Sequence, residues 1–321
     1  VLSSIGIALS ENGQVDAEHL LQHADLAMYK AKQSGRNTFR LFTEDMEQTV
    51  RQRFKLEVAL PDAIAKNQFF LHYQPKADCH SNRIIGFEAL LRWQHPEYGL
   101  IPPGDFIPIV DEDNLVIEIG EWVLNEVCRQ LVEWRQQGLP VLPIAVNISG
   151  HHLHSPSLLP CVKQTLKIHG IESELIELEI TEGVLTSNTE HSIAVMSALK
   201  SFGIKLSVDD FGTGYSSLSY LKNFPVDILK IDQTFVRDAA ANIEDGAICK
   251  AIITLAKNLN LQIIAEGVET QEQLAFLKQH DCDSYQGYLF SHPLPAESVP
   301  AVLEGQPPPP QEQTSSAAIE E

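Results

Sequence analysis

The sequence predicts an α/β protein whose largest part is a closed barrel of eight strands. Short apolar stretches alternate with longer amphipathic stretches over residues 68–304, and about 240 residues is a usual length for a (β/α)8 barrel of the TIM type. Most of the apolar stretches end on a polar residue. No G-x-G-x-x-G motif opens a helix, which makes a doubly wound open sheet the weaker alternative.

Apolar runs locate the strands of this part, and apolar residues at helical spacing locate the helices between them. The predicted strands are 69–73, 84–93, 143–149, 175–181, 204–211, 227–232, 262–268 and 285–290. The clearest predicted helices are 118–137, 189–202, 245–260 and 270–280. The apolar stripe of the first of these helices is expected to lie in the core.

The remaining segments divide the chain into four predicted parts. Residues 1–43 predict a strand (4–9), a helix (16–33) and a strand (38–42). This is too little to fold alone, so we expect it to be the end of a domain that begins upstream of this chain. Residues 44–67 predict a linker helix with a kink or a new start at Pro61. The barrel follows at 68–304, and the proline-rich segment 305–321 predicts a disordered tail.

The charge distribution argues against nucleic-acid polymers as partners. The chain carries 23 basic and 43 acidic residues, a net charge of −20, and residues 68–321 contribute 15 and 34 of them. A protein that binds DNA or RNA through its phosphates would carry the opposite sign. If this part acts on a phosphate ester, it must therefore bind cations to do so.

Cysteine usage and hydropathy favour a cytoplasmic location. The five cysteines include no C-x-x-C pair, which indicates a reducing compartment. No apolar run approaches the roughly 18–20 residues that a membrane span needs, and no secretory leader opens the chain. We expect any membrane anchor of the parent protein to lie upstream.

Polar residues occur at one end of seven consecutive predicted strands. In chain order they are Glu88, Arg92, Asn147, Glu179, Glu182, Asp209, Asp210, Lys230, Asp232, Glu266, Glu269 and Gln286. In a barrel these positions meet at the carboxyl-end mouth, where barrel enzymes carry their chemistry. Any one of them alone is better explained as a helix cap, a turn residue or a surface group. Their coincidence on seven strands predicts a site.

The carboxylates of this ring predict a site for a hard cation. Several carboxylates and an amide facing one pocket would repel one another without a cation. Ligands that are all oxygen suit Mg²⁺ or Mn²⁺, whereas zinc would favour Cys or His. Glu177 lies on the same strand face as Glu179, so spacing does not choose between these two. Lys230 adds one fixed positive charge.

Two further motifs flank the ring. Gly-Thr-Gly-Tyr-Ser-Ser at 212–217 predicts a mobile active-site loop directly after the acid pair, and Glu182 is placed to hold that loop through backbone N–H groups. The histidines His151, His152 and His154 are interpreted as an exposed approach to a helix rather than a metal site. No cysteine or suitably spaced carboxylate accompanies them.

At this point the motifs resemble a known family. Glu-Ala-Leu-Leu-Arg-Trp at 88–93 is similar to the signature of EAL domains, the bacterial phosphodiesterases of cyclic di-GMP. The resemblance extends over 68–300 through Tyr-Gln-Pro (73–75), Asn-Ile-Ser (147–149), Glu-Ile-Thr-Glu (179–182), Asp-Asp-Phe-Gly-Thr-Gly-Tyr-Ser-Ser-Leu (209–218), Leu-Lys-Ile-Asp (229–232), Glu-Gly-Val-Glu (266–269) and Gln-Gly (286–287). Residues 1–42 resemble the C-terminal end of a GGDEF (diguanylate cyclase) domain. The loop that names that domain is absent from this chain, which excludes a cyclase.

The resemblance implies a barrel whose first strand is antiparallel and which hydrolyses cyclic di-GMP to linear 5′-pGpG. It assigns a first metal ion to Glu88, Asn147, Glu179 and Asp209, and a second ion to Asp209, Asp210 and Glu266. Lys230 would orient the attacking water, and Glu266 would act as the general base. Substrate contacts would come from Gln74, Arg92, Asp232, Glu269 and Gln286, and Glu182 would position the loop. Mg²⁺ or Mn²⁺ would support turnover and Ca²⁺ would inhibit it.

Two hypotheses follow from the resemblance. An active phosphodiesterase is favoured because every expected metal ligand is present. The alternative is a binding module that senses cyclic di-GMP and signals through the linker helix, and such degenerate domains usually lack one or more ligands. A homodimer is a further expectation that the resemblance carries.

Overall fold

The N-terminal segment contains a small parallel strand pair with a helix between its strands. The computed structural model describes residues 3–10, 16–33, 37–112, 115–186, 189–213 and 221–305. Strand β1 (Ile5–Ile7) pairs in parallel with β2 (Phe39–Leu41), and the helix Ala17–Gln33 connects them. Gly6 allows a close approach, because a Cβ atom there would lie 1.9 Å from the carbonyl oxygen of Ala24. The strand, helix and strand expected from the sequence are all present.

A single long helix follows, from Glu44 to Ala65. Its first turn carries Glu44, Asp45 and Glu47, whose charges favour the positive end of the helix dipole. The helix continues through Pro61, so of the two alternatives expected at that residue, a kink or a new helix start, the new start is excluded. The backbone N–H groups of the three residues 66–68, which follow the helix, donate to carbonyl oxygens of its last turn. One of these bonds joins Lys66 N to Asp62 O at 2.9 Å.

The rest of the strands form one mixed sheet that closes on itself. They are β3 (Phe69–Asp78), β4 (Ile84–His95), β5 (Gly99–Ile101), β6 (Ile144–Asn147), β7 (Ile176–Thr181), β8 (Lys205–Phe211), β9 (Ile228–Ile231), β10 (Gln262–Ala265), β11 (Ser284–Tyr285) and β12 (Leu294–Pro295). Eight of them form a ring in the order β3, β11, β10, β9, β8, β7, β6, β4, and the pairing of β3 with β4 closes it. β12 pairs with β3 and β5 pairs with β4, but neither belongs to the closed ring.

Strand direction around the ring agrees with the prediction. β3 is antiparallel to both of its ring neighbours, β4 and β11. All other neighbouring strands of the ring are parallel. The predicted (β/α)8 barrel with an antiparallel first strand is therefore confirmed.

Helices separate or follow these strands along the chain. They are Pro103–Glu112, Leu115–Gln136, Gly150–Leu153, Leu158–His169, Glu182–Thr186, Thr189–Ser201, Gln233–Arg237, Ile243–Asn258, Gln271–Gln279 and Val299–Leu303. In the longest of these, the expected core stripe is buried at Ile119, Val123, Val127, Leu131 and Trp134. Its sixth expected member, Trp122, is only partly buried. Among the described residues, no helix combines the length and the apolar character that crossing a membrane requires.

The end of the barrel differs from the predicted strands. The strand expected at 285–290 is only Ser284–Tyr285, because the chain turns at Gly287, where Phe290 N donates to Gly287 O. The strand expected to continue to residue 268 ends at Ala265. Gly267 follows in the left-handed region at φ +64°, a conformation incompatible with a regular strand.

Two compact units are present, Val1–Gln68 with Ile101–Val110 and Phe69–Leu100 with Asp111–Glu321. The boundaries expected at 43/44, 67/68 and 304/305 stay predictions. Residues 306–321 of the expected tail lie outside the described part of the chain.

Candidate active site

The barrel places the predicted polar residues together at its carboxyl-end mouth. Glu88 lies on β4, Asn147 ends β6 and Glu179 lies on β7. Sheet register aligns them, because Asn147 pairs with Glu179 and Thr181 pairs with Asp209 on β8. Asn147 also donates from Nδ2 to Glu88 Oε1 at 2.8 Å. Residues separated by up to about 120 positions in the chain therefore line one site.

Lys230 on β9 is the electrostatic centre of this ring. Its side chain is 1% exposed, and Nζ lies 2.6 Å from Glu266 Oε1, 2.8 Å from Glu179 Oε2 and 3.1 Å from Asp209 Oδ1. Glu88 Oε2 is 3.7 Å away. A buried cation with this many anionic neighbours stays protonated, and they raise the pKa of Lys230 against the opposing effect of burial.

A break in strand regularity brings the two aspartates into one cluster. Consecutive residues of a regular strand point to opposite faces of the sheet. Asp210 has φ +54°, and the pairing of β8 with β9 shifts register between Val208 and Phe211. The backbone N–H of Asp210 donates to Asp209 Oδ1 at 3.0 Å. As a result Asp209, Asp210 and Glu266 each offer an oxygen atom, and these atoms lie within 4.8 Å of one another.

The carboxylates of the site have different pKa values because their surroundings differ. Burial raises the pKa of Asp210 to about 6, and the charges of Asp209 and Asp232 add to this effect. Burial also raises the pKa of Glu266 to about 8, despite Lys230. Burial opposes ionisation of Glu179 as well, but Lys230 and Lys76 outweigh it and lower its pKa to about 2.

The donor set fits a hard divalent cation. Three ionised carboxylates within reach of one point repel one another, and a cation between them would relieve that repulsion. Each ligand atom offered is a carboxylate oxygen, which is the chemistry that Mg²⁺ and Mn²⁺ prefer. Asn147 is exposed at the end of β6 and adds an amide oxygen at the same mouth.

A cavity of about 230 Å³ opens over this cluster. It is lined by Gln74, Glu88, Asp210, Asp232, Gln233, Glu266, Gly267, Glu269, Gln286, Gly287 and Tyr288. Gln286 Nε2 donates to Glu88 Oε2 at 2.6 Å and to Gln74 Oε1 at 3.0 Å. The other amide oxygen, Gln286 Oε1, is buried without a hydrogen-bond partner among the described residues. The floor of the cavity thus combines fixed amides with carboxylates.

Of the other predicted contact residues, Asp232 and Glu269 line the cavity, whereas Arg92 is not among its lining residues. Asp232 caps the helix Gln233–Arg237 by accepting from Thr234 N at 2.9 Å, so it serves as a helix cap while lining the cavity. Arg92 is partly buried on β4, and its Nη1 donates to Leu91 O at 2.9 Å. Glu269 is exposed, and its backbone N donates to Gln273 Oε1 at 2.7 Å.

Glu182 reaches the start of the loop that follows β8. Its Oε2 accepts the backbone N–H of Gly212 at 2.8 Å, although the carboxylate is buried beside β7. Gly212 itself has φ +103°. Residues 214–217 of the expected loop lie outside the described part of the chain.

The histidine cluster is not uniformly exposed, contrary to expectation. His151 is exposed, but His152 is buried against Gly120, where a Cβ atom would lie 2.4 Å from its Nδ1. His154 Nε2 pairs with Ser192 Oγ at 3.0 Å. Helix packing therefore explains these residues.

Sequence reasoning missed a second cation in the barrel interior. Lys76 on β3 is 3% exposed, and its Nζ lies 2.8 Å from Glu179 Oε1 and 3.1 Å from Glu177 Oε1. Lys76 lies two residues after Gln74 on the same strand, so both side chains point to the same face of the sheet. This two-residue spacing would have predicted that Lys76 also faces the barrel interior.

The fold is a (β/α)8 barrel, and its carboxyl-end mouth carries a cluster of carboxylates that could hold a cation. The chain belongs to the EAL domain family, whose model matches residues 57–293. The model of the diguanylate cyclase (GGDEF) domain matches residues 1–38. This assignment agrees with the resemblance drawn from the motifs.

Relatives and solved structures agree with it. The chain is 42% identical over 299 residues to the bifunctional diguanylate cyclase/cyclic di-GMP phosphodiesterase MucR of Pseudomonas aeruginosa, covering 93% of this chain and 44% of that protein. It is 42% identical over 293 residues to the cyclic di-GMP phosphodiesterase PdeR of Escherichia coli, covering 91% of this chain and 44% of that protein. The chain thus spans less than half the length of these relatives. A structure of the Pseudomonas MucR phosphodiesterase in complex with cyclic di-GMP is 43% identical, has a TM-score of 0.73, and covers 76% of this chain and 99% of that one.

Proposed function

We propose that this barrel hydrolyses cyclic di-GMP to linear 5′-pGpG with the help of two Mg²⁺ or Mn²⁺ ions. One observation carries the proposal: Asp209, Asp210 and Glu266 offer oxygen atoms within 4.8 Å of one another at the barrel mouth, with Lys230 beside them. The similarity to proteins named as cyclic di-GMP phosphodiesterases supports the choice of substrate.

The carboxylates divide between two cation positions in this proposal. Glu88, Asn147, Glu179 and Asp209 would hold one ion, and Asp209, Asp210 and Glu266 would hold the other. Bound cations supply Lewis acidity and lower the pKa of a coordinated water molecule. A cation held there would also favour the ionised forms of Asp210 and Glu266, whose pKa values are raised by burial.

Lys230 and Glu266 act on the attacking water and on the phosphate. Glu266, held by Lys230 at 2.6 Å, accepts a proton from the water as its oxygen bonds to phosphorus. The bond from phosphorus to the 3′ oxygen breaks, and this oxygen takes up a proton from solvent, which leaves a 5′-phosphate and a 3′-hydroxyl. Lys230 donates hydrogen bonds where negative charge increases during this displacement.

The residues around the cavity orient the substrate. Gln286 presents an amide that donates to Glu88 and to Gln74, and Gln74 donates in turn to the carbonyl oxygen of Ser291. Arg92 supplies a guanidinium for an anionic or planar partner, while Asp232 and Glu269 supply acceptors for base N–H groups. Glu182 fixes the start of the loop that follows β8 by accepting the backbone N–H of Gly212.

The decisive experiment is turnover of cyclic di-GMP by the purified chain. We expect 5′-pGpG to accumulate with Mg²⁺ or Mn²⁺ and to stop forming when a chelator is added. Asp209→Asn should abolish turnover under all conditions, since this carboxylate contributes to both cation positions. Full turnover in chelator would contradict the metal-dependent mechanism. Binding of cyclic di-GMP without any product would instead identify a receptor module.

Calcium provides a second test of the proposed metal geometry. Ca²⁺ takes longer bonds and a looser coordination sphere than Mg²⁺, so we expect it to bind and to inhibit. Measuring initial rates in Mg²⁺ with increasing Ca²⁺ checks this. Turnover in Ca²⁺ at the magnesium rate would show that cation spacing does not control the reaction. Dimerisation and a cytoplasmic location stay predictions beside this proposal.

A further inference from the structure

Lys76 is a buried cation for which the proposed mechanism gives no role. Gln74 on β3 pairs with Glu88, and Lys76 pairs with Gly86, two residues earlier on β4. Since β3 is antiparallel to β4, Lys76 lies further from the mouth than Gln74. Glu177 lies correspondingly two residues before Glu179 on β7. Lys76 and Glu177 therefore occupy a layer of the barrel interior beneath the acidic ring.

This layer separates the ring from the opposite end of the barrel. Lys76 and Glu177 also line a cavity of about 270 Å³ together with Lys205, Gln262 and other residues at the beginnings of the parallel strands. Both side chains are nevertheless nearly inaccessible, at 3% and 6% exposure. A charged group with so little contact with water needs an oppositely charged partner. Lys76 and Glu177 are such partners for each other.

Glu179 is held by two different lysines, one on each oxygen. Oε1 lies 2.8 Å from Lys76 Nζ, and Oε2 lies 2.8 Å from Lys230 Nζ. The lower contact comes from β3 and the upper contact from β9. Because Lys76 occupies Oε1, the oxygen that Glu179 directs toward Lys230 and the acidic ring is Oε2.

We propose that Lys76 is a positioning residue for Glu179, which fixes this carboxylate from below so that Oε2 faces the cation position. The inference rests on the proposed function, in which Glu179 is a metal ligand. Lys76 itself touches neither cation nor substrate. Partners that hold a metal ligand from behind typically change metal affinity by about 10–100-fold when they are removed.

The sign of the effect separates positioning from simple electrostatics. Removing a positive charge near the site would by itself strengthen the binding of a cation. Removing a group that orients a ligand weakens it. Lys76→Met should therefore weaken Mn²⁺ binding by about 10–100-fold, whereas a purely electrostatic role for Lys76 requires tighter binding.

A double variant guards against misfolding of the single one. Lys76→Met leaves Glu177 buried without its cation, which is destabilising. Lys76→Met with Glu177→Gln removes the charge pair together and leaves Glu179 with Lys230 alone. Lys200→Met is the matched control, because Lys200 pairs with Asp227 at 2.8 Å on a partly exposed surface.

The experiment is a calorimetric Mn²⁺ titration of the wild-type chain and of these three variants, without substrate, alongside their thermal unfolding in chelator. We expect weak Mn²⁺ binding in both Lys76 variants, recovered thermal stability in the double variant, and wild-type behaviour in Lys200→Met. Unchanged or tighter Mn²⁺ binding by Lys76→Met, or wild-type affinity in the double variant, would overturn the inference. A wild-type chain that binds no Mn²⁺ would contradict the proposed function itself, and the positioning role with it.

Discussion

At the scale of single residues, surroundings decide what each acidic side chain does. Glu179 and Glu266 have the same chemistry, yet two lysines lower the pKa of one to about 2 and burial raises the pKa of the other to about 8. A group with a low pKa is a permanent anion suited to holding a cation. A group whose pKa is raised by burial becomes a dependable anion only when a cation is held beside it.

Replacing Lys230 with methionine tests the centre of the ring. We expect the turnover number to fall by about 10²–10³, since one well-placed donor to developing charge contributes this much. In chelator the free energy of unfolding should also fall, by about 3–5 kcal/mol, because the buried carboxylates lose their shared cation. Steady-state kinetics in Mg²⁺ and chemical unfolding in chelator measure the two effects. Turnover within a few-fold of wild type would show that Lys230 is only a counter-ion.

At the scale of elements, irregular backbone near the strand ends shapes the site. The register shift in β8 and the left-handed conformation of Asp210 direct two successive aspartates into one cluster. Gly267 and Gly287 allow the chain to turn beside the cavity that they line. The regular parts of the strands form the barrel, and the irregular backbone at their ends sets the positions of the site residues.

Glu182→Gln should loosen the start of the loop after β8. The substitution keeps the size of the side chain but removes the charge that accepts the Gly212 N–H at 2.8 Å. A charged acceptor makes a hydrogen bond stronger than a neutral one, so we expect faster amide exchange at 211–213 and slower turnover. Hydrogen exchange followed by mass spectrometry, together with kinetics, measures this. Glu190→Gln on an exposed helix position is the control, and equal exchange in both variants would refute the loop contact.

Gly287→Ala should disrupt the cavity at its floor. A Cβ atom at this position would lie 2.2 Å from the carbonyl oxygen and 2.3 Å from the nitrogen of Val268, so the backbone must move. Overpacking of this kind costs about 1–3 kcal/mol of stability. Thermal unfolding should show the loss, whereas Gly104→Ala, which meets no atom within 4 Å, should not. Equal stability of the two variants would mean that the backbone around Gly287 can move away from Val268 at little cost in free energy.

At the scale of the whole molecule, the described site lies entirely between residues 74 and 288. Removing residues 306–321 should therefore leave both turnover and thermal stability unchanged. Rates and unfolding temperatures of the chain ending at Gly305 check this expectation. A large loss in either would show that the C-terminal segment contributes to the barrel or to its site.

The sequence by itself determined the barrel and most of the candidate site. Alternation of apolar and amphipathic stretches follows directly from burying a parallel sheet beneath helices, so it is visible without coordinates. Polar residues at successive strand ends predicted one shared mouth, and Glu88, Asn147, Glu179, Asp209 and Lys230 do meet there. The strand at 285–290 was misplaced because the apolar residues Tyr288 to Phe290 occupy a turn.

Only the tertiary structure decided how those residues divide their contacts. Spacing along β7 left Glu177 and Glu179 equivalent, and the structure separates them, because Lys230 from β9 contacts Glu179 while Glu177 pairs with Lys76 beneath it. The convergence of Asp209 with Asp210 depends on a φ angle of +54°, which the residue type permits but does not require. Which residues contact one another is decided by strands that are far apart in the chain. Local sequence does not contain the distances between side chains on such strands.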